Sequence, residues 1–188
     1  MWIVAVFTIA LLLAGCGSDG DESAPADEAG KTNGDRELAQ AHQRLVTTYD
    51  GGLHILDADS LDVLETVELD GFLRVHPAGD GRHVIVSTDE TFHVLDAGVW
   101  SEEHGDHSHH FATDPKLTDI EFEADHPGHV IHASARTAMF SDGTGTAEIF
   151  ETEDLAQGRP ATQTVESAAA HHGAAMAVDD NGMLITIG

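Results

Sequence analysis

A six-residue segment returns after 39 residues and constrains the fold more than any other feature of the chain. Residues 53–58 read LHILDA and residues 92–97 read FHVLDA, so that His54 and His93 hold the same place. Both copies are short, largely apolar runs of the kind that form β-strands. A unit that returns at this interval is typical of repeat architectures, in which neighbouring units stack to bury their apolar faces.

Short apolar runs bounded by turn residues follow one another from residue 44 onward. Glycine-containing turn signals lie between them at residues 50–52, 79–81, 142–143 and 181–182. No segment has a sustained helical period, so the sequence predicts an all-β chain. The predicted strands are residues 44–49, 53–57, 63–69, 72–76, 83–87, 91–96, 120–124, 129–133, 138–141, 147–151, 163–167, 174–178 and 183–187.

The repeat interval favours a β-propeller over a sandwich. Gly81, Gly128 and Gly182 form a second series at intervals of 47 and 54 residues, and about four short strands per unit of this size is typical of propeller blades of the WD40 or YVTN type. Residues 44–188 supply about three blades and end inside another, whereas propellers close with about four to eight. A fragment, a broken reading frame or closure with further copies would account for this, and we expect a fragment.

The N-terminal residues carry targeting signals. Residues 2–14 form an apolar run that is shorter than the roughly 20 residues of a membrane span but suits a signal-peptide core. The sequence LAGC then ends at Cys16 and resembles the lipobox of bacterial lipoproteins, which implies cleavage before Cys16 and lipid attachment to its sulfur. Residues 1–16 are therefore predicted to be a lipoprotein signal peptide. We expect an extracytoplasmic protein that is lipid-anchored to the cell membrane.

The segment behind the cysteine is small and acidic. Residues 17–43 have too few large apolar side chains to offset the entropy of ordering, so we predict a flexible tether. The whole chain has 34 acidic and 8 basic residues and a formal net charge of -26. This charge excludes nucleic acid as a partner, because a polyanion would be repelled.

The segment HGDHSHH, residues 104–110, is unique to one repeat and is the main candidate for a metal site. In an extended chain alternate residues share a face, so His107 and His109 are expected to converge. Gly105 allows a bend that brings His104 to the same point. Neutral imidazoles are preferred zinc ligands, and Asp106 is either a fourth ligand or a carboxylate that orients an imidazole. The segment therefore predicts a zinc site.

Other histidines divide into candidate ligands and packing residues. His171 and His172 precede the predicted strand 174–178, which the repeat makes the axis-lining strand of its blade. Loops entering such strands gather around the channel, so we predict His172, with His171 behind it, as ligands from another blade; the alternative is a polar strand cap. His54 and His93 hold one place in two repeats and are expected to serve packing.

Three segments in this order resemble a known family: FHVLDAGVWSEEHGDHSHHF, PGHVIHASARTAMFSDGTG and AHHGAAMAV. They look like the AztD-type zinc metallochaperones, secreted bacterial β-propellers, and the resemblance covers the first part of that propeller. It implies a chaperone that buffers Zn(II) and passes it to the solute-binding protein of a zinc ABC importer. It also implies that these residues bear on zinc binding: His104, His107, His109, His171 and His172.

Two other functions are compatible with a propeller of this kind. One is a metal-independent protein-interaction scaffold at the cell surface. The other is a metal-dependent enzyme that uses the same histidines around an open coordination position. The sequence has no paired general acid and base, nucleophile elbow or cofactor loop, so we expect no enzyme. The same ligands also suit Cu(II), Ni(II) and Co(II), which leaves the metal open between these and zinc.

Overall fold

The computed structural model describes residues 34–166 and, as backbone alone, residues 174–177 and 183–186. These residues belong to the compact unit Lys31–Gly188. They are almost entirely β-structure, as predicted, and the one helix among them is the single turn α1 (Thr152–Leu155). No helix in this described part is long and apolar enough to cross a membrane. The strands are β1 (Arg36–Leu38), β2 (Arg44–Tyr49), β3 (Gly52–Asp57), β4 (Val63–Glu68), β5 (Arg74–Pro77), β6 (His83–Ser87), β7 (Thr91–Asp96), β8 (Val99–His104), β9 (His107–Ala112), β10 (Lys116–Glu123), β11 (Pro127–Ala133), β12 (Arg136–Ser141), β13 (Thr146–Glu151), β14 (Gln163–Glu166), β15 (Ala174–Ala177) and β16 (Met183–Thr186).

The strands form successive antiparallel sheets, which we name blades. Blade I consists of β2, β3 and β4; blade II of β5, β6, β7 and β10; and blade III of β11 to β14, while β15 and β16 begin a further sheet. The first strands β5, β11 and β15 lie next to one another, as first strands do around a propeller axis. The prediction of propeller blades is therefore confirmed.

The 39-residue repeat is visible in the strand register. Arg44 pairs with Asp57 across β2 and β3, and His83 pairs with Asp96 across β6 and β7. Both pairs sit at the same point of their blades, and each is the last pair of its hairpin. The repeated sequence therefore forms the strand next to the last strand of its blade, β3 in blade I and β7 in blade II.

Two apolar layers hold the blades together. Alternation along β6 turns Ile85 towards blade III and Val86 towards blade I, and both side chains are fully buried. Each such burial contributes about 1.5–3 kcal/mol, so blade II is fixed on both faces. The layer between blades II and III contains Ala78, Ile85, Phe92, Val94, Val130, Met139, Phe150 and Leu155. The layer between blades I and II contains Leu53, Ile55, Leu73, Val86 and Leu95.

One sheet was not predicted. Strands β8 and β9 form a hairpin inserted between the third and fourth strands of blade II, in residues for which the sequence predicted no strand. Strand β1 pairs with β9, with Arg36 opposite Ala112 and Leu38 opposite His110. We call β1, β9 and β8 the hairpin sheet. β1 lies inside the segment 17–43 that the sequence suggested to be a tether, whereas residues 17–33 and the signal peptide lie outside the described residues.

Candidate metal centre

A tight turn brings the histidines of the HGDHSHH segment together. His104 pairs with His107 across the hairpin, which leaves Gly105 and Asp106 as a two-residue loop. Gly105 has φ 66°, and a positive φ at the first loop position is what a type II′ hairpin turn requires. Alternation then places His109 on the same face as His107, two residues further along β9. The tip of the hairpin thus carries three imidazoles on one face.

The ligand atoms of these imidazoles lie close together. One nitrogen from each of His104, His107 and His109 lies within 4.8 Å of the other two. Nε2 of His107 is 3.1 Å from Nε2 of His109, and two nitrogens bound to one tetrahedral zinc ion are about 3.3 Å apart. Among the described residues this is the one group of three or more potential ligands that converges so closely. The arrangement is therefore near that of a three-histidine metal site.

Two carboxylates accept hydrogen bonds from the Nδ1 atoms of two of these rings, on the side away from the converging nitrogens. Nδ1–H of His107 donates to Oδ1 of Asp106 at 3.2 Å, and Nδ1–H of His109 donates to Oε1 of Glu37 at 2.7 Å. A ring that donates from Nδ1 presents its Nε2 lone pair, which is the form that ligates a metal. Of the two roles predicted for Asp106, the geometry matches the orienting one.

The histidine cluster is open to solvent and is surrounded by acidic side chains. The side chains of His107 and His109 are 56% and 39% exposed. Glu102 lies directly opposite His109 on the same face of the hairpin sheet. The other face carries His110, whose Nδ1 is 2.7 Å from Oγ of Ser101 and which takes no part in the cluster. The ligand face is thus accessible and negatively charged.

The root of the hairpin is fixed to blade II by an ion pair. Arg82 donates from Nε and Nη2 to the two carboxylate oxygens of Asp96 at 2.9 and 2.7 Å, and Gly98 N–H donates to Oδ1 of Asp96 at 2.9 Å. Burial raises the pKa of Asp96, but these hydrogen bonds outweigh it and the net direction is downward. The Arg82 guanidinium lies 3.9 Å over the Trp100 ring, which stacks on Phe111. This contact holds the hairpin sheet against the blade.

The remaining predicted site residues are not brought to this cluster by any described contact. His171, His172 and Cys16 lie outside the described residues, so their predicted roles stay predictions. His54 and His93 are at equivalent points of β3 and β7, opposite Thr66 in β4 and Glu121 in β10. His93 is buried and lies within blade II, away from the hairpin tip.

Two features of the site were not predicted from the sequence: the carboxylate of Glu37 and the hairpin that positions the cluster. The one local signal for the hairpin was its Gly-Asp loop, because glycine followed by aspartate between two extended segments is typical of a two-residue hairpin turn. No local signal identifies Glu37, which is 72 residues from His109. Only the pairing of β1 with β9 brings the two together.

Fold and site together define a partial β-propeller with an exposed histidine cluster on an inserted hairpin. No family model matches the chain. The chain is similar to the zinc chaperone AztD of Citrobacter koseri, with 25% identity over 130 residues, 68% of this chain. The crystal structure of Citrobacter koseri AztD superposes with a TM-score of 0.63 at 22% identity, over 73% of this chain and 37% of AztD.

A second solved structure, that of apo AztD from the same organism, agrees, with a TM-score of 0.62 and 20% identity over 74% of this chain and 38% of that one. The resemblance that the sequence motifs indicated is therefore confirmed, and the shared fold is that of propeller blades. The chain spans about a third of the length of the curated AztD, 31% of it.

Proposed function

We propose that the hairpin binds Zn(II) and that the chain is an extracytoplasmic metallochaperone, held at the cell membrane by a lipid on Cys16. It buffers Zn(II) and delivers it to the solute-binding protein of a zinc ABC importer. The observation that carries this proposal is the convergence of three imidazoles within 4.8 Å. The likeness to a protein named a zinc chaperone supports both the metal and the class.

The electrostatics of the cluster favour a cation. With both Nδ1–H groups donating to carboxylates, the Nε2 lone pairs of His107 and His109 face each other at 3.1 Å. Two lone pairs at this distance repel unless a proton or a metal ion lies between them. Three neutral imidazoles suit zinc, and the acidic side chains nearby raise the local concentration of a dication.

The openness of the cluster suits delivery. Three protein ligands leave the fourth zinc position free, and a receiving protein can supply a ligand there before the first histidine is released. His107 and His109 are exposed enough for such an approach. Ligating histidines must be neutral, so metal uptake releases protons and affinity falls in acid. No catalytic residue is part of this proposal.

Calorimetric titration of the 188-residue chain with Zn(II) tests the binding step. We expect saturable uptake by the wild type and loss of that uptake in the variant His104→Ala/His107→Ala/His109→Ala, with unchanged circular dichroism. Transfer is then measured by mixing the zinc-loaded chain with the apo form of a zinc importer's solute-binding protein and separating the two. A folded chain that takes up no zinc would contradict the proposal and favour the metal-independent scaffold.

A further inference from the structure

The contact between Glu37 and His109 joins two distant parts of the chain at the candidate metal centre. Strand β1 lies at the edge of the hairpin sheet and pairs with β9. Glu37 is opposite Phe111, so its side chain lies on the same face as the three histidines. Its Oε1 accepts the Nδ1–H of His109 at 2.7 Å, the shortest contact that any ring of the cluster makes.

Strand β1 has little else to hold it in place. It has three residues, of which Arg36 and Glu37 are exposed and Leu38 is half-buried. An edge strand of this length buries too little apolar surface to be stable by itself, and such segments open locally with small free energies. Its docking on β9 therefore responds to small changes in the few contacts that it makes.

We propose that Glu37 is a positioning residue for the metal ligand His109, and that docking of β1 and occupancy of the metal site stabilise each other. This inference rests on the proposed function. A cation on Nε2 of His109 withdraws electron density from the ring and strengthens the Nδ1–H donor towards Glu37. In return the Glu37 carboxylate holds the His109 ring in the tautomer and the orientation in which Nε2 is free to bind the metal.

The coupling is reciprocal by thermodynamic necessity. If docked β1 raises the affinity for zinc by some factor, bound zinc raises the docking equilibrium of β1 by the same factor. Carboxylates in this position are worth about 10- to 100-fold in metal affinity. Asp106 plays the corresponding part for His107, but it belongs to the same hairpin as the histidine that it orients.

Two carboxylate variants separate this effect from a general change in charge. Glu37→Gln keeps an acceptor of the same size and removes the charge. Glu103→Gln removes the same charge from the opposite face of β8, where the carboxylate accepts from Ser108. Zinc affinity is measured for both, and for the wild type, by competition with a chromophoric chelator. We expect a fall of about 10- to 100-fold for Glu37→Gln and less than about twofold for Glu103→Gln.

Amide hydrogen exchange of residues 36–38 supplies a readout that a structural role alone would not move. We expect zinc to slow exchange there in the wild type and in Glu103→Gln, and to have little effect in Glu37→Gln. Glu37→Asp, which keeps the charge on a shorter side chain, should recover part of the affinity and part of the protection.

The outcomes separate this inference from the proposed function. Wild-type zinc binding that depends on the three histidines but is equal in Glu37→Gln overturns the inference and leaves the function standing. Zinc-independent exchange of residues 36–38 in the wild type does the same. A wild type that binds no zinc overturns both.

Discussion

Blade II and the hairpin sheet inserted in it use histidine and glutamate in opposite ways. In blade II the His93 side chain is 11% exposed, and its Nδ1 lies 3.2 Å from Oε1 of Glu121 without the alignment of a hydrogen bond. In the hairpin sheet the His109 side chain is 39% exposed, and its Nδ1–H donates a hydrogen bond to Oε1 of Glu37 at 2.7 Å. The histidine of the first pair recurs as His54 at the equivalent point of blade I, where it faces Thr66, whereas His109 lies outside the repeated segment. Repetition thus separates histidines that pack from histidines that are free to ligate.

The largest effect that this comparison predicts is on zinc affinity. His107→Ala removes one of three converging ligands, so we expect affinity to fall by at least about 100-fold, or about 2.7 kcal/mol. Stability should change by less than about 0.5 kcal/mol, because the side chain is exposed. His110→Ala is the matched control, since His110 is on the same strand but the opposite face. Equal losses of affinity in the two variants would show that the face does not matter.

The second effect is on stability and has the opposite pattern. His93→Ala opens a cavity in the interior of blade II, and we expect the free energy of unfolding in urea to fall by about 2 kcal/mol. His93→Leu should recover most of this loss, because it refills the space and removes an Nδ1 that is buried without a hydrogen-bond partner. Zinc affinity should be unchanged in both. A weaker zinc site in His93→Ala would mean that the blade and the hairpin are coupled.

The blades were predictable because local pattern and tertiary environment agree there. Strands β6 and β7 have the predicted bounds, because their apolar side chains are buried between neighbouring blades and form a continuous apolar run in the sequence. Strand β10 begins four residues before the predicted start, because the register shifts between Leu117 and Glu121 and breaks the alternation. The hairpin strands were missed because the side chains towards the tip, residues 101–104 and 107–110, are all polar, so the apolar signal for a strand is absent there.

The site was predictable only as far as it is local. The convergence of His104, His107 and His109 follows from strand alternation and a glycine turn, both of which are written in seven consecutive residues. The partner of His109 is not, since Glu37 reaches it through the pairing of a short strand from far along the chain. Long-range pairing of a three-residue strand leaves no periodic signal in the sequence.

A third prediction concerns pH and His76, a half-buried histidine of blade II. Burial, aided by Arg74 and His129, lowers the pKa of His76 to about 4, and its Nε2 has no hydrogen-bond partner among the described atoms. The unfolded chain takes up this proton near pH 6.5, so it binds more protons than the folded chain between about pH 6.5 and 4. Stability should therefore be full above pH 6.5 and should fall as the pH drops to 4, by on the order of 1–2 kcal/mol because solvent screens part of the effect at a half-buried group.

The variant His76→Leu tests this origin of the acid sensitivity. We expect its unfolding free energy to depend less on pH between 6.5 and 4 than that of the wild type, in urea titrations at each pH. His126→Asn is the control, because the His126 side chain is 81% exposed and asparagine tolerates its φ of 53°. An unchanged pH dependence in His76→Leu would place the acid-sensitive group elsewhere.

The smallest effect distinguishes a turn in the hairpin from a turn in the blade. Gly105 and Gly81 have φ 66° and 77°, and an added Cβ would meet nothing within 4 Å at either position. Alanine therefore introduces backbone strain without a clash, at a cost of about 1–2 kcal/mol in each case. In Gly105→Ala the strain is relieved by opening the loop between His104 and His107, so zinc affinity should also fall several-fold.

In Gly81→Ala the same strain falls in the turn between β5 and β6, next to Arg82, which contacts Trp100 at the root of the hairpin and not the histidines at its tip, so zinc affinity should stay at the wild-type value. Chelator competition and urea unfolding on both variants give the two quantities side by side. Equal zinc affinities in the two variants would mean that the ligand cluster does not depend on the turn geometry. A loss confined to Gly105→Ala means that a single glycine conformation preorganises the three imidazoles, while the blade beneath them supplies only the support.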